Sequence, residues 1–409
     1  MLVLNSIDTI RKEFPILNQQ VNGKPLVYFD NGATAQKPNS VIDAESRYYQ
    51  ELNANIHRGV HFLSQKATDA FEETRSYIKD FIGAKEREEI IFTSGTTESI
   101  NIVAQSFRKS GFVKAGDEIL ISALEHHSNI VPWQMLCQET GAKLVVVPIL
   151  KNGEIDATAF RQLISNKTKL VAISHISNAL GSINPVKKFI DWAHAINVPV
   201  LIDGAQAVPH VKLNMLDLDA DFYCFSAHKM YGPTGVGILY GKRAWLDKME
   251  PVNGGGEMIA TVSFDKTTYA ELPHKFEAGT PNIASVIALK AAAEFIDAIG
   301  IETIASIEDE LLKYGTQELS TIPDLEIIGT AENKASLISF NIKGLHPYDV
   351  GTILDQLGIA VRTGHHCAQP IMDYYGIPGT IRASFAVYNT KEEIDMLING
   401  LKKAISMLK

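Results

Sequence analysis

A lysine, an aspartate and a histidine each stand where an apolar run of this chain ends, and the three could do chemistry together. Lys229 closes Asp221-Phe-Tyr-Cys-Phe-Ser-Ala-His-Lys229, the pattern of a buried strand, and the turn Met230-Tyr-Gly-Pro-Thr-Gly235 follows at once. Burial disfavours an ammonium, so an amine partly desolvated at such a strand end becomes a nucleophile. Taken alone, Lys229 equally reads as a lysine reaching solvent at a loop mouth. Asp203 ends Val198-Pro-Val-Leu-Ile-Asp203, with Gln206 one helical step beyond. A carboxylate in that place can keep a pyridine nitrogen protonated, which makes the ring an electron sink, and the Gln206 amide can bond a ring hydroxyl. Otherwise Asp203 caps the next turn. His126, after the run Glu118–Glu125, can lie flat on such a ring and move protons near neutral pH, or be a satisfied loop histidine.

A phosphate seat completes the set. Ser94-Gly-Thr-Thr-Glu98 follows the apolar run Glu89–Thr93 and opens a helix carrying Ile100, Val103, Ala104 and Phe107. Free N–H groups, the hydroxyls of Thr96 and Thr97 and the positive helix end suit an anion, although a plain cap has the same composition. Ser226 and His228 lie within three residues of Lys229 and can close the cup. The sequence lacks a Walker A or G-x-G-x-x-G fingerprint, which weakens nucleotide readings. The group that needs an amine, a carboxylate, a flat partner and a phosphate seat is pyridoxal 5′-phosphate, carried as a Schiff base on Lys229.

These residues need a scaffold that brings strand ends together. Short apolar runs alternate with amphipathic helical patterns from about residue 90 to 240. That alternation predicts a mostly parallel sheet covered on both faces, whose ligands bind at the carboxyl strand ends. With 409 residues the chain exceeds one ordinary core. The expected division is a large cofactor-binding domain over 26–295 and a smaller α/β domain over 1–25 and 296–409. In the latter, Thr390 with Glu393 forms a capping box before the stripe Ile394, Leu397, Ile398 and Leu401. A net charge of −9 argues against nucleic acid or an anionic membrane as partner. No apolar run reaches the roughly 18 residues of a membrane span. The N-terminal 15 residues lack a secretory or transit pattern, and three cysteines make no disulfide framework, so a reducing cytoplasm is expected.

The motifs Asp203-Gly-Ala-Gln206, Ser226-Ala-His-Lys229, Thr96-Thr97-Glu98, Glu125-His-His-Ser-Asn-Ile-Val-Pro-Trp133 and Phe276-Glu-Ala-Gly-Thr-Pro281 resemble those of fold-type I pyridoxal-phosphate enzymes of class V. In combination they resemble the SufS-type (group II) cysteine desulfurases, from about Phe14 to the last helix. A second segment, Arg362-Thr-Gly-His-His-Cys367-Ala-Gln-Pro370, decides the reaction. A cationic surrounding favours the thiolate, and Arg362, His365 and His366 supply one on a turn-rich loop. Cys137 and Cys224 lie in apolar contexts and read as inert. Two adjacent histidines and one cysteine do not make a zinc set, and no metal is expected. The resemblance implies that Cys367 forms a persulfide, that Arg382 and Arg362 hold the substrate carboxylate with Asn178, and that Thr280 reaches the partner's phosphate across a homodimer. It implies conversion of L-cysteine to L-alanine, Lys229 moving the Cα proton and His126 the thiol proton. The sulfur would pass to a SufE- or SufU-type acceptor for iron–sulfur cluster assembly.

Three other readings compete. A class V aminotransferase has no use for Cys367. A selenocysteine lyase need not use it either, because the selenium–carbon bond breaks more readily. A silent scaffold for cluster-assembly partners would not need Lys229, Asp203, His126 and Cys367 together.

Overall fold

The computed structural model describes residues 6–409; the first five residues of the 1–25 segment lie outside the described residues. The alternating apolar runs form a seven-stranded sheet of β1 (Ile90–Thr93), β2 (Glu118–Ser122), β3 (Lys143–Val147), β4 (Thr168–Ser174), β5 (Val200–Asp203), β6 (Phe222–Ser226) and β7 (Gly237–Gly241). Their order is β1-β7-β6-β5-β4-β2-β3. Neighbours from β6 to β3 pair in parallel, whereas β7 is antiparallel to both β6 and β1. The link from Ser226 to Gly237 is too short for the crossover that a parallel partner requires.

Strand alternation sorts the core into two layers. Val171, Ile173, Tyr223 and Phe225 face one side, packed against the apolar helix Ile283–Ile299, and Leu170, Ala172, Phe222 and Cys224 face the other. Helix α1 (Phe62–Phe81) precedes the sheet, α2 (Thr96–Lys109) follows β1, and α3 spans Ile283–Ile299. The expected stripe on α2 is buried: Ile100, Val103, Ala104 and Phe107 are at most 3% exposed. In the chain between β7 and α3, a hairpin of β8 (Ile259–Val262) and β9 (Thr267–Tyr269) stands largely exposed.

The C-terminal third builds a second, antiparallel sheet of β10 (Leu325–Ile328), β11 (Leu337–Ile342), β12 (Arg362–Gly364) and β13 (Thr380–Ser384), ordered β10-β11-β13-β12. Helices α4 (Ile301–Leu319), α5 (Pro347–Gln356) and α6 (Lys391–Leu408) accompany it. Both arms of the Thr390–Glu393 capping box are made. Arg11 reaches Glu393 at 2.6 Å and so draws the N-terminal segment onto the start of α6. Ile10 and Phe14 pack in the cluster of the large sheet, Val27 and Phe29 in that of the small one. Strand β13 begins two residues earlier than the sequence pattern implies, so Arg382 sits mid-strand between Ser339 and Arg362 instead of opening it. Among the described residues no helix is long and apolar enough to cross a membrane.

One crossing in the large sheet has no room to spare. A Cβ on Gly237 would lie 2.3 Å from the Gly95 Cα, backbone against backbone, immediately before the start of α2. Gly237→Ala is therefore expected to destabilise the chain by about 1–3 kcal/mol, measurable as a lowered denaturation midpoint.

Candidate active site

The parallel strands deliver their carboxyl ends to one edge, and a cavity of about 240 Å³ opens there. Thr96, Thr97, His126, Asn178, Asp203 and Gln206 line it from the large sheet. Ser226, His228 and Lys229 close it from β6, and Arg362, Cys367 and Arg382 enter from the second sheet. Thr280 does not join them; it is exposed outside this cavity.

At the phosphate seat, the Thr96 N–H donates to Ser226 Oγ at 2.9 Å, and the two hydroxyls meet at 2.8 Å. Thr97 Oγ1 contacts Ser128 Oγ at 2.7 Å. The His126 Nδ1 lies 3.1 Å from the Ser128 N–H. A backbone N–H can only donate, so Nδ1 accepts and the neutral ring carries its proton on Nε2. Burial first, then the charges of Lys229 and the neighbouring His127, push His126 down to about 3. The ring is thus neutral at any working pH.

The strand end behind it explains the spacing of Glu125-His-His-Ser-Asn129. Glu125 is fully buried, and burial pushes its carboxyl up to about 8 against the pull of Ser122, Asn129 and the Ser174 N–H. Asn129 donates to Glu125 at 2.7 Å and accepts from Trp133 Nε1 at 2.8 Å. The network fixes the backbone from which His126 projects.

Asp203 is 6% exposed and accepts from the Ala205 N–H at 3.0 Å. Burial lifts its carboxyl above the ordinary value, while that N–H and the Lys229 charge act the other way. Burial lowers the Lys229 amine to about 8 although Asp203 opposes the shift. Gln206 spends its amide N–H on the Gly32 carbonyl at 2.7 Å.

Gly32 belongs to a segment that the sequence reading passed over. Asp30 binds Arg362 Nε through both oxygens, at 3.1 and 3.2 Å, and Arg382 through Oδ1 at 3.1 Å. A Cβ on Gly32 would stand 3.0 Å from the Arg382 guanidinium carbon, so glycine lets the fork lie against the backbone. The His228 carbonyl, one residue before Lys229, accepts from the Ala35 N–H, Thr34 Oγ1 and Lys37 Nζ at 3.0–3.1 Å. The signal was present: Val27-Tyr-Phe-Asp30-Asn-Gly32 is an apolar run ending on a carboxylate and a glycine, the pattern that exposed Asp203.

Arg382 is 1% exposed. It donates to the Asn178 carbonyl at 2.8 Å, and its Nε is buried without a partner. Asn178 donates to the His366 carbonyl at 2.5 Å. Cys367 is exposed, and His366 and Cys367 both adopt the left-handed conformation, φ 53° and 54°, which is uncommon for such residues. The Cys367 carbonyl accepts from the His127 N–H at 2.7 Å. The expected cationic surrounding needs one correction. His366 is buried on Thr380 at 2.8 Å, and burial first, then Arg382 and Arg362, hold it down to about 3, so it brings no charge. The arginines supply the positive field. Cys137 and Cys224 are buried, and burial raises both thiols.

Comparison with known proteins agrees with this arrangement. The family described as aminotransferase class-V matches residues 27–397. The chain belongs to the class-V aminotransferases and, within them, to the cysteine desulfurases. A cysteine desulfurase of Escherichia coli (strain SE11) is 50% identical over 404 residues, which cover 98% of this chain and 99% of the relative. The apo structure of the cysteine desulfurase from Thermococcus onnurineus NA1 superposes with a TM-score of 0.93 at 41% identity, covering 98% of each chain. That of the Escherichia coli cysteine desulfurase CsdA, in its S-sulfonic acid form, gives 0.91 at 38% identity over 99% of each chain.

The residues present fit pyridoxal phosphate. Ser174 Oγ, His366 Nδ1 and Arg382 Nε are buried without partners, and all three line the cavity. Buried polar atoms left open in one pocket await a polar occupant. Thr96, Thr97, Ser226 and His228 would hold a phosphate, Asp203 a ring nitrogen, and Lys229 the carbonyl carbon. The lowered Lys229 amine also carries a stability prediction for the cofactor-free protein. Between pH 8 and its ordinary value the unfolded chain keeps a proton that the folded chain has released, so stability rises with pH across that window. Below pH 8 cofactor-free wild type should be less stable than Lys229→Met by up to about 3 kcal/mol. Denaturation curves at several pH values should show the gap closing towards pH 10.5.

Proposed function

We propose that this chain takes the sulfur of L-cysteine onto Cys367, releases L-alanine, and hands the sulfane sulfur to an acceptor protein for iron–sulfur cluster assembly. One observation carries the reading: an exposed thiol on a left-handed turn shares a cavity with a desolvated lysine and a buried, partly unpaired arginine. When bound, pyridoxal phosphate supplies an electron sink that makes an amino acid's Cα proton acidic and weakens its Cβ–S bond.

The chain's own residues do the rest. Arg382, with its open Nε, takes the substrate carboxylate as a fork, assisted by Asn178 and Arg362. Lys229 Nζ accepts the Cα proton, which an amine lowered to about 8 does near neutral pH. His126, neutral and with its proton on Nε2, can donate from that nitrogen to the substrate but cannot take up the thiol proton, which stays on the transferred sulfur. The Cys367 thiolate then attacks the substrate sulfur. The new S–S bond forms as the Cβ–S bond breaks, the electron pair stays with the carbon fragment, and protonation of that fragment gives alanine.

The finer reading is a SufS-type enzyme with a SufE- or SufU-type acceptor. It works as a homodimer in which Thr280, exposed outside its own cavity, completes the partner's phosphate seat. The cofactor pocket belongs to a large domain over 26–295, and the cysteine loop to a smaller one over 1–25 and 296–409. A reducing cytoplasm suits three free cysteines.

Two variants test the reading. Cys367→Ala should keep cofactor absorbance and its change on adding cysteine, while alanine and sulfide production fall by about 100-fold or more. Normal turnover in that variant would remove the thiol from the mechanism. Arg382→Lys loses the fork, so KM for L-cysteine should rise about 10–100-fold, read from initial rates with a SufE-like or SufU-like acceptor present.

A further inference from the structure

Three side chains of metal-ligating type meet away from the cavity, each from a different segment. His57 lies in the loop before α1, Glu72 on α1, and His274 on the short turn His274–Phe276. One donor atom from each falls within 4.8 Å of the other two. His57 Nε2 stands 3.1 Å from Glu72 Oε1, and the two imidazole rings are 4.8 Å apart between centroids.

The surroundings are built to hold this arrangement. His57 adopts φ 68°, the left-handed region, and its N–H is pinned to Thr68 Oγ1 at 2.9 Å. A non-glycine residue held there is strained, and such strain gathers where a side chain has to be aimed. Arg75 orients the Glu72 carboxylate from behind at 3.0 and 3.2 Å. Its charge is met on the other side by Glu277 at 2.7 and 2.9 Å, so the surroundings keep a net negative charge. His57 and Glu72 are each about one-fifth exposed, which leaves room for water.

Two imidazole nitrogens and one carboxylate oxygen, with a position open to water, form a donor set for zinc and its first-row neighbours. We propose that His57, Glu72 and His274 bind a divalent transition-metal ion of the zinc class. The ion replaces the contact between His57 and Glu72, and Arg75 stays behind the carboxylate as its orienting partner. Donors about 2.1 Å from an ion stand at most about 4.2 Å apart, so the widest pair closes by roughly half an ångström. The site takes no part in the chemistry. Its effect is to tie together three segments of the chain. Arg58, next to His57, pairs with Glu257 of the glycine-rich segment at 3.0 Å. Glu277, three residues beyond His274, accepts from the Phe92 N–H in β1 at 2.7 Å. An ion fastening His57 to His274 therefore links the Arg58–Glu257 pair to β1 through Glu277.

The test uses the Cys367→Ala holoenzyme, which removes the exposed competing thiol. Zinc retained per chain is measured after equilibrium dialysis, together with the shift in denaturation temperature on adding zinc. His57→Gln and His274→Gln are made separately on that background, with cofactor absorbance checking their folding. The parent should retain one zinc per chain beyond either variant, and zinc should raise the midpoint of the parent alone. A parent that retains no zinc overturns the site without reference to the variants. Retention by both variants, or loss in only one of them, overturns it as well, because the site requires both imidazoles.

Discussion

The buried guanidinium of Arg382 is the tie on which the site depends. A charge at 1% exposure must be paired, because removal of a partner leaves it uncompensated at a cost of several kcal/mol. Its partners come from everywhere except its own strand: Asp30 on the N-terminal segment and the Asn178 carbonyl after β4. One side chain therefore joins the second sheet, the large sheet and the N-terminal segment at the mouth of the cavity. Asp30 extends the tie to Arg362, so both guanidinium groups are held in place at the cavity. Preorganisation of this kind removes an ordering cost from binding.

The lysine side and the thiol side are held differently. Lys229 follows a strand buried on both faces, and its neighbouring carbonyl is gripped by three donors from residues 34–37. Cys367 hangs on two left-handed residues whose carbonyls are caught by Asn178 and by the His127 N–H. The lysine is thus seated rigidly, while the thiol rests on a short turn that faces solvent. A solvent-facing turn leaves the thiol accessible from outside the cavity while the lysine stays fixed within it.

Much of this was legible in the sequence, and for a physical reason. A parallel sheet buried on both faces writes its strands as apolar runs, and the residue that ends a run is the residue that meets the ligand. Asp203, His126, Lys229 and the Thr96 helix start all follow that rule. Asp30 follows it too, but its strand pairs only across Val27–Tyr28, too short a run to stand out. His366 misled because a histidine beside a cysteine suggests charge, and sequence cannot weigh its burial. His57, Glu72 and His274 belong to three segments that only the packing of α1 brings together. The register of β13 slipped by two residues because Thr380 and Ile381 sit in a Pro- and Gly-rich context that reads as loop.

The contact of Gly237 with Gly95 also bears on how such a site can change over generations. The two backbones touch just before α2, so Gly237 cannot accept a side chain without moving the helix start. Variation that reshapes the seat has to enter through Thr97, Ser128 or Ser226, whose hydroxyls project from the crossing without forming it. The crossing thus fixes where α2 begins, and leaves the rest of the cavity to be rewritten from the other sheet.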